Sequence, residues 1–186
     1  MKLHVVGRAA KSKSESNQIR RNGGIPAVIY VRDKPAENLV IKTAEYLAAV
    51  RHIQPGRLST TVFILVDEHG HERRALIKEI QYNIVNYNVI HLDFEMLLDD
   101  VKVNVNVPIE CIGMNECPGI KLGGVLRQVI RKLRVSCLPK DIPACFEIDV
   151  RLLDQRGSKR LRDIALPETI RPLADLNEVA CVIVKR

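Results

Sequence analysis

Short runs of β-forming residues follow one another closely along this chain, and turn signals separate them. In the first half, these runs cover residues 25–31, 39–41, 60–66, 73–81 and 89–96. They are rich in β-branched or alternating apolar residues, the pattern of a strand with one buried face. Asp67-Glu68-His69-Gly70 has the composition of a hairpin turn between two of them. Strands this close together predict a small sheet that curls on itself, because a flat sheet leaves two unpaired edges.

Two segments of the first half have helical character. The polar stretch 11–22 stops at Gly23-Gly24 and fits either a helical turn or an ordered loop. Thr43 is a candidate N-cap for a helix that ends near residue 53, with Tyr46 on its apolar face. Residues 1–97 are therefore predicted to form a closed antiparallel β-barrel with one or two helices.

A second domain is predicted over residues 98–186. It begins with a run that alternates valine with Lys102, Asn104 and Asn106, as in a half-buried strand. Prolines then divide the apolar runs into short strands. These are Pro139, Pro143, Pro167 and Pro172. The predicted fold class is thus mainly β, with an N-terminal closed antiparallel barrel followed by a second β-rich domain of short strands.

Composition excludes several classes of protein. No apolar stretch approaches the roughly 18 residues of a membrane span, and the amino terminus lacks the apolar core of a signal peptide, which predicts a cytoplasmic protein. The five cysteines are odd in number and none lies in a Cys-x-x-Cys pair, so neither a zinc site nor a disulfide framework is expected. Cys137 and Cys181 lie in apolar runs and are expected to be buried. No cofactor is predicted.

Positive charge is concentrated at the amino-terminal end. The chain has 29 basic and 22 acidic residues. Residues 1–25 contain Lys2, Arg8, Lys11, Lys13, Arg20 and Arg21 but only one acid, Glu15. A segment of this kind attracts polyanions, of which nucleic acid is the commonest. The alternative is a solvated terminus that serves only solubility.

Four polar side chains are expected on the outside of the predicted strands, namely Tyr30, Gln81, His91 and Asp93. They offer a stacking ring, an amide that donates and accepts, and a carboxylate that accepts from a base amino group, a set suited to nucleotide edges. Arg20 and Lys13 would supply phosphate contacts. An ordinary polar barrel exterior is the alternative.

Other motifs fit a structural role better than a chemical one. His69-Gly70-His71 could ligate a metal but lies in a predicted turn tip. His91 and Asp93 could form an acid–base pair, yet no nucleophile or oxyanion-stabilising motif accompanies them, so catalysis is not expected. The glycines of residues 119–124 lack a phosphate-loop ending and fit a turn. Two basic clusters could bind phosphate or be solvated. They are Arg127, Arg131, Lys132 and Arg134, and Arg156, Lys159, Arg160 and Arg162.

Five runs in order identify a family resemblance that covers nearly the whole chain. They are Ile25-Pro26-Ala27-Val28-Ile29-Tyr30; Ile80-Gln81 followed by His91-Leu92-Asp93-Phe94; Val107-Pro108-Ile109; Gly119-Ile120-Lys121-Leu122-Gly123-Gly124-Val125-Leu126; and Leu138-Pro139-x-x-Ile142-Pro143. In these runs the chain resembles the bacterial large-subunit ribosomal protein family called L-twenty-five, CTC or general stress protein, in its long two-domain form.

The resemblance implies a structural ribosomal protein and not an enzyme. Its barrel would bind the minor groove of 5S rRNA loop E in the central protuberance. The sequence leaves open whether the second domain contacts other ribosomal RNA, a neighbouring ribosomal protein or nothing essential. No metal, membrane or small-molecule substrate is implied. The residues expected to contact RNA are Arg8, Lys13, Ser16, Asn17, Arg20, Arg21, Tyr30, Lys78, Gln81, His91 and Asp93. Two alternatives remain open, a stress-linked RNA-binding protein acting mainly off the ribosome and a small nuclease using His91 and Asp93.

The basic arm departs from the family pattern. Where the family commonly has Lys-Gly-x-x-Arg-Arg-Leu-Arg, this chain has Lys13-Ser14-Glu15-Ser16-Asn17-Gln18-Ile19-Arg20. Two arginines are replaced by Asn17 and Gln18, and Glu15 adds a negative charge. Each lost charge removes about one counterion-release contribution, so weaker affinity and a shallower salt dependence are expected, with Arg21 as partial compensation.

Overall fold

The computed structural model describes residues 1–8, 12–31 and 35–185. Lys11, at the start of the predicted polar stretch, lies outside the described residues. The chain divides into two compact units, Met1–Val101 and Lys102–Arg186. The division falls between residues 101 and 102, where the sequence had suggested 97 and 98. Each unit is described by itself.

Six strands close the first unit into a barrel, which confirms the predicted barrel. The strands are β1 (Lys2–Gly7), β2 (Gly24–Tyr30), β3 (Glu37–Lys42), β4 (Val62–Val66), β5 (Glu72–Tyr82) and β6 (Val89–Met96). They are ordered β1-β3-β2-β6-β5-β4 around the barrel. The hairpin turn between β4 and β5 is confirmed, because Gly70 has φ +80° and donates its backbone N–H to the Asp67 carbonyl at 2.9 Å.

The barrel is antiparallel except at two seams. β1 runs parallel to β4, and β2 runs parallel to β6. The reason is geometric: β1-β3-β2 and β6-β5-β4 are each antiparallel groups of three, so the two outer strands of a group point the same way. When one seam between two such groups is parallel, the other must be parallel too. Alternation of apolar residues reports which face is buried and carries no information about strand direction.

The barrel core is aliphatic with a few aromatic rings. Leu3, Leu65 and Leu92 are fully buried in it, and the rings of Phe63 and Phe94 meet edge to face with centroids 6.3 Å apart. Edge-to-face packing favours the quadrupoles of both rings. Each inward residue alternates with an outward one, which leaves every second side chain of a strand on the barrel exterior.

Two helices accompany the strands, α1 (Lys13–Arg21) and α2 (Thr43–Arg51). Helix α2 buries Tyr46 against the core, as predicted. Thr43 is its first helical residue and not its cap: the helix follows directly from the end of β3, so Lys42 occupies the N-cap position without a side-chain cap bond. Helix α1 has a true cap, because the Ser12 hydroxyl accepts from the Glu15 backbone N–H at 3.3 Å.

The second unit is built from short strands, as predicted. They are β7 (Val103–Ile112), β8 (Gly124–Gln128), β9 (Lys132–Cys137), β10 (Phe146–Asp149), β11 (Ser158–Arg160), β12 (Arg171–Pro172) and β13 (Val179–Lys185). One sheet has the order β10-β7-β9-β12 and the other β11-β13-β8. A short helix, α3 (Pro118–Lys121), precedes β8. Single 3₁₀ turns occur at Arg57–Thr60, Met114–Glu116, Pro139–Asp141 and Leu161–Asp163.

Close backbone approach explains Gly119 and Gly124, and Gly123 between them has a positive φ of +87°. A Cβ at Gly124 would lie 2.5 Å from the Gly119 carbonyl oxygen, and one at Gly119 would lie 2.8 Å from the Asp154 backbone. The segment is therefore a packed helical turn leading into a strand. Cys137 and Cys181 are buried, as expected. Across the described ranges, no helix has the length and apolarity needed to cross a membrane.

Candidate nucleic-acid interface

Three neighbouring strands bring the predicted recognition residues onto one exterior face of the barrel. β6 lies between β2 and β5. Gln81 on β5 pairs with His91 on β6, and Tyr30 on β2 pairs with Glu95, two residues beyond Asp93 on the same side of β6. Phe94 and Leu92 point the other way into the core. The strand face is the name used below for the outward side chains Val28, Tyr30, Lys78, Glu79, Gln81, His91, Asp93 and Glu95.

Internal contacts order the strand face. His91 Nδ1 lies 2.6 Å from Asp93 Oδ1, so the imidazole and the carboxylate hold one another in place. Lys78 is the extra residue of a β-bulge in β5. Ile77 before it pairs with Phe94 and Glu79 after it pairs with Asp93, and these two partners are adjacent in β6. This bulge places the Lys78 ammonium in an ion pair with Glu95. The charge of Lys78 is therefore engaged within the face.

Tyr30 lies among carboxylates. Partial burial, together with repulsion from Glu95, Asp93 and Glu79, raises the pKa of the Tyr30 hydroxyl. The negative charge of a phenolate would be disfavoured by both effects. Tyr30 therefore keeps its proton at neutral pH and presents a hydrogen-bond donor as well as an aromatic ring.

Helix α1 carries the predicted backbone contacts on one stripe. Lys13, Ser16, Asn17 and Arg20 are spaced at three and four residues, which aligns them along a single helical face. Ile19 points away from this stripe, and its side chain packs against Gly24. A Cβ on Gly24 would lie only 2.8 Å from Ile19 Cγ2. The helix thus lies directly on the beginning of β2.

Arg20 connects the helix to the strand face. Its Nε donates to the Ile90 carbonyl at 3.0 Å, one residue before His91, and its Nη1 donates to Asn17 Oδ1 at 3.0 Å. Asn17 therefore orients the Arg20 guanidinium. Arg8 is brought to the same helix, since its Nη1 lies 3.4 Å from Ser16 Oγ. Arg21 is exposed in the last helical turn.

The resulting surface has two electrostatic halves. Arg8, Lys13, Arg20 and Arg21 make the helical half cationic, and Glu15 in the first turn complements the helix dipole. The strand face holds three carboxylates, Glu79, Asp93 and Glu95, against Lys78 and His91. Sequence reasoning missed Glu79 and Glu95. Their two-residue spacing from Gln81 and Asp93 was the signal that could have found them, because residues two apart share a strand face.

The basic cluster of residues 127–134 is divided between the two sheets of the second unit. Arg127 lies on β8 in one sheet, whereas Lys132 and Arg134 lie on β9 in the other. Arg171 on β12, which sequence reasoning did not single out, pairs with Ser136 on β9 beside Arg134. In the described part of the chain, His, Cys, Asp and Glu side chains form no group of three able to hold a metal ion.

Comparison with known proteins covers both units. The family described as Ribosomal L25p family matches residues 3–94, and Ribosomal protein TL5, C-terminal domain, matches residues 102–186. Similar curated proteins include several called Large ribosomal subunit protein bL25. Those of Chlamydia caviae, Chlamydia muridarum and Chlamydia pneumoniae are 45%, 46% and 44% identical over 186 residues, which is 100% of this chain and 100% of each relative.

Proposed function

The chain belongs to the ribosomal L25p family of large-subunit proteins, in the form that carries a TL5 C-terminal domain, and we propose that it binds loop E of 5S rRNA. Its role in the large subunit is structural. The contact would lie in the central protuberance, with the barrel as the RNA-binding unit. Three alternatives stay open for the second domain: contact with a neighbouring ribosomal protein, contact with another stretch of RNA, or no essential contact.

The observation that supports this proposal most is the pairing of a cationic helix with an acceptor-rich strand face. The cations Arg8, Lys13 and Arg20 can bind phosphates. The carboxylates of the strand face would repel phosphates, but they can accept hydrogen bonds from donor groups. The minor groove of RNA offers such donors, namely guanine amino groups and 2′-hydroxyls. The strand face therefore suits a minor groove, and the helix suits the phosphates along its edge.

Like charges across the strands add to this argument. Glu79 on β5 lies directly opposite Asp93 on β6. Two carboxylates in this position destabilise a sheet, and the His91 contact relieves only the Asp93 side. Hydrogen-bond donors from a bound RNA would relieve both. The same ligand explains why an otherwise basic protein keeps three carboxylates together.

A footprint on isolated 5S rRNA tests partner and site together. We expect protection of loop E sugars on the minor-groove side, and affinity that falls as salt rises because phosphates release counterions. Transfer RNA, another folded polyanion, is the control for charge alone. Equal protection of both RNAs, or none of loop E, contradicts the proposal.

Two further measurements separate the alternatives. A sucrose gradient at physiological salt should place the protein with large subunits, and its absence there would favour a role off the ribosome. Incubation of 5S rRNA with purified protein, with and without divalent metal, should leave the RNA intact. Cleavage would favour the nuclease alternative.

A further inference from the structure

The tip of the hairpin between β5 and β6, residues 83–88, exposes large apolar side chains. Ile84 is 90% exposed, Val85 89% and Tyr87 78%. Isolated apolar residues on a surface are ordinary, but three within four positions at a protruding tip mark a contact surface. In the part of the chain that the structure describes, all three side chains are open to solvent, and the proposed contacts of the strand face do not use them.

Local hydrogen bonds hold the tip in one shape. Asn83 Oδ1 accepts from the Val85 N–H at 2.9 Å, and Asn86 Oδ1 accepts from the Asn88 N–H at 3.0 Å. The Asn83 N–H donates to the Asn88 carbonyl at 2.8 Å, and the Tyr87 N–H donates to the Asn83 carbonyl at 2.9 Å. Such asparagine turns fix the backbone without burying side chains. The apolar side chains thus point outward from a backbone that is already ordered. Binding would therefore cost little further backbone entropy.

Tyr87 is held in an unusual backbone conformation. Its φ is +55°, in the left-handed region that large side chains rarely occupy. The turn would be easier to form with glycine or asparagine at this position. A tyrosine that is both strained and largely exposed is consistent with a role for its ring in contact with a ligand.

The tip continues the strand face. Gln81 and His91 form the outward pair nearest to it, and the turn begins at Asn83, two residues beyond Gln81. Two residues of strand span about 7 Å, the distance of about two stacked base pairs. An RNA helix that is bound at Gln81 and His91 and runs along the strands would therefore meet the tip.

The chemistry of the tip favours bases over phosphates. No charged residue occurs between residues 80 and 90. Aromatic rings stack on exposed bases, and branched aliphatic side chains serve as wedges between base steps in a minor groove. We propose that the tip contacts unstacked bases next to the RNA segment bound by the strand face, with Tyr87 as the stacking ring and Ile84 and Val85 as the wedge. This inference rests on the proposed function.

The test measures binding of in vitro transcribed 5S rRNA by the full chain and by tip variants. Tyr87→Asn removes the ring while suiting the positive φ, so the turn should persist. We expect an affinity loss of about 5- to 160-fold, the range for one lost base–aromatic stack. Tyr87→Phe keeps the ring and should bind as the natural chain does. The double substitution Ile84→Ser with Val85→Ser should also weaken binding.

Three results would overturn the inference. If the natural chain binds 5S rRNA and Tyr87→Asn binds equally well, the tip makes no base contact, although the proposed function stands. If the tip variants bind RNA normally but fail to enter large subunits, the tip contacts a protein. If the natural chain prefers 5S rRNA no more than transfer RNA, the proposed function and this inference fail together.

Discussion

Tyr46 shows how the barrel controls the ionisation of a single residue. Burial, with repulsion from Tyr82, raises its pKa from 10.0 to about 12. Because the raised value belongs to the folded state, its contribution to stability is complete below pH 10 and is lost as pH rises towards 12. Phenylalanine has no hydroxyl to ionise. The Tyr46→Phe variant should therefore not show the loss of about 2–3 kcal/mol in the free energy of unfolding that this shift gives the natural chain. Urea unfolding across this range should show the natural chain losing more stability than the variant, whereas parallel curves would contradict the prediction.

Asp93 is the residue at which RNA recognition is most directly tested. It contacts His91, faces Glu79 and lies beside Tyr30. Asp93→Ala, or Tyr30→Ala, should weaken binding to a loop E fragment by ~1–3 kcal/mol, the range for a lost base-edge or stacking contact. Glu147→Ala, an exposed acid in the second unit, is the matched control. Unchanged affinity in a filter-binding assay for both barrel variants would move the recognition site elsewhere.

At the scale of elements, the position of α1 depends on Gly24. A Cβ there would lie 2.8 Å from Ile19 Cγ2 and 3.3 Å from the Ile19 carbonyl oxygen. Gly24→Ala should therefore push α1 off β2 and move Arg20 away from Ile90. Overpacking of this kind costs ~1–3 kcal/mol of stability, and RNA affinity should fall with it. Gly7→Ala on β1 is the control, because a Cβ at Gly7 meets nothing within 4 Å. Equal RNA affinity for both variants would show that the helix position does not matter.

The elements that sequence predicted best are those in which local pattern and burial agree. The run that became β6 alternates clearly, so His91 and Asp93 could be assigned to one face before their neighbours were known. In β5 Ala75, Leu76 and Ile77 are all buried, and Gln81 could be assigned only from the alternation that follows them. The parallel seams could not be predicted, because strand direction depends on how distant groups meet. The hydrogen bond between Asn17 and Arg20 could not be predicted either. It gives Asn17 a structural role, although the sequence had indicated only that an arginine of the family pattern is missing there. Arg171 was missed because it is a neighbour of Arg134 only through sheet pairing.

For the whole molecule, the first unit should fold and bind RNA alone. Every strand of the barrel and every residue of its buried core lies before Val101. All eleven predicted RNA contacts also lie there. A chain that ends at Val101 should therefore match the full chain in affinity for 5S rRNA and in the slope of log affinity against log salt. If the second unit supplies phosphate contacts, each contact that the shortened chain lacks should reduce the magnitude of its slope by about 0.7–0.9. A shallower slope would thus assign cations such as Lys132 and Arg134 to the same RNA, and loss of all binding would show that recognition requires both units.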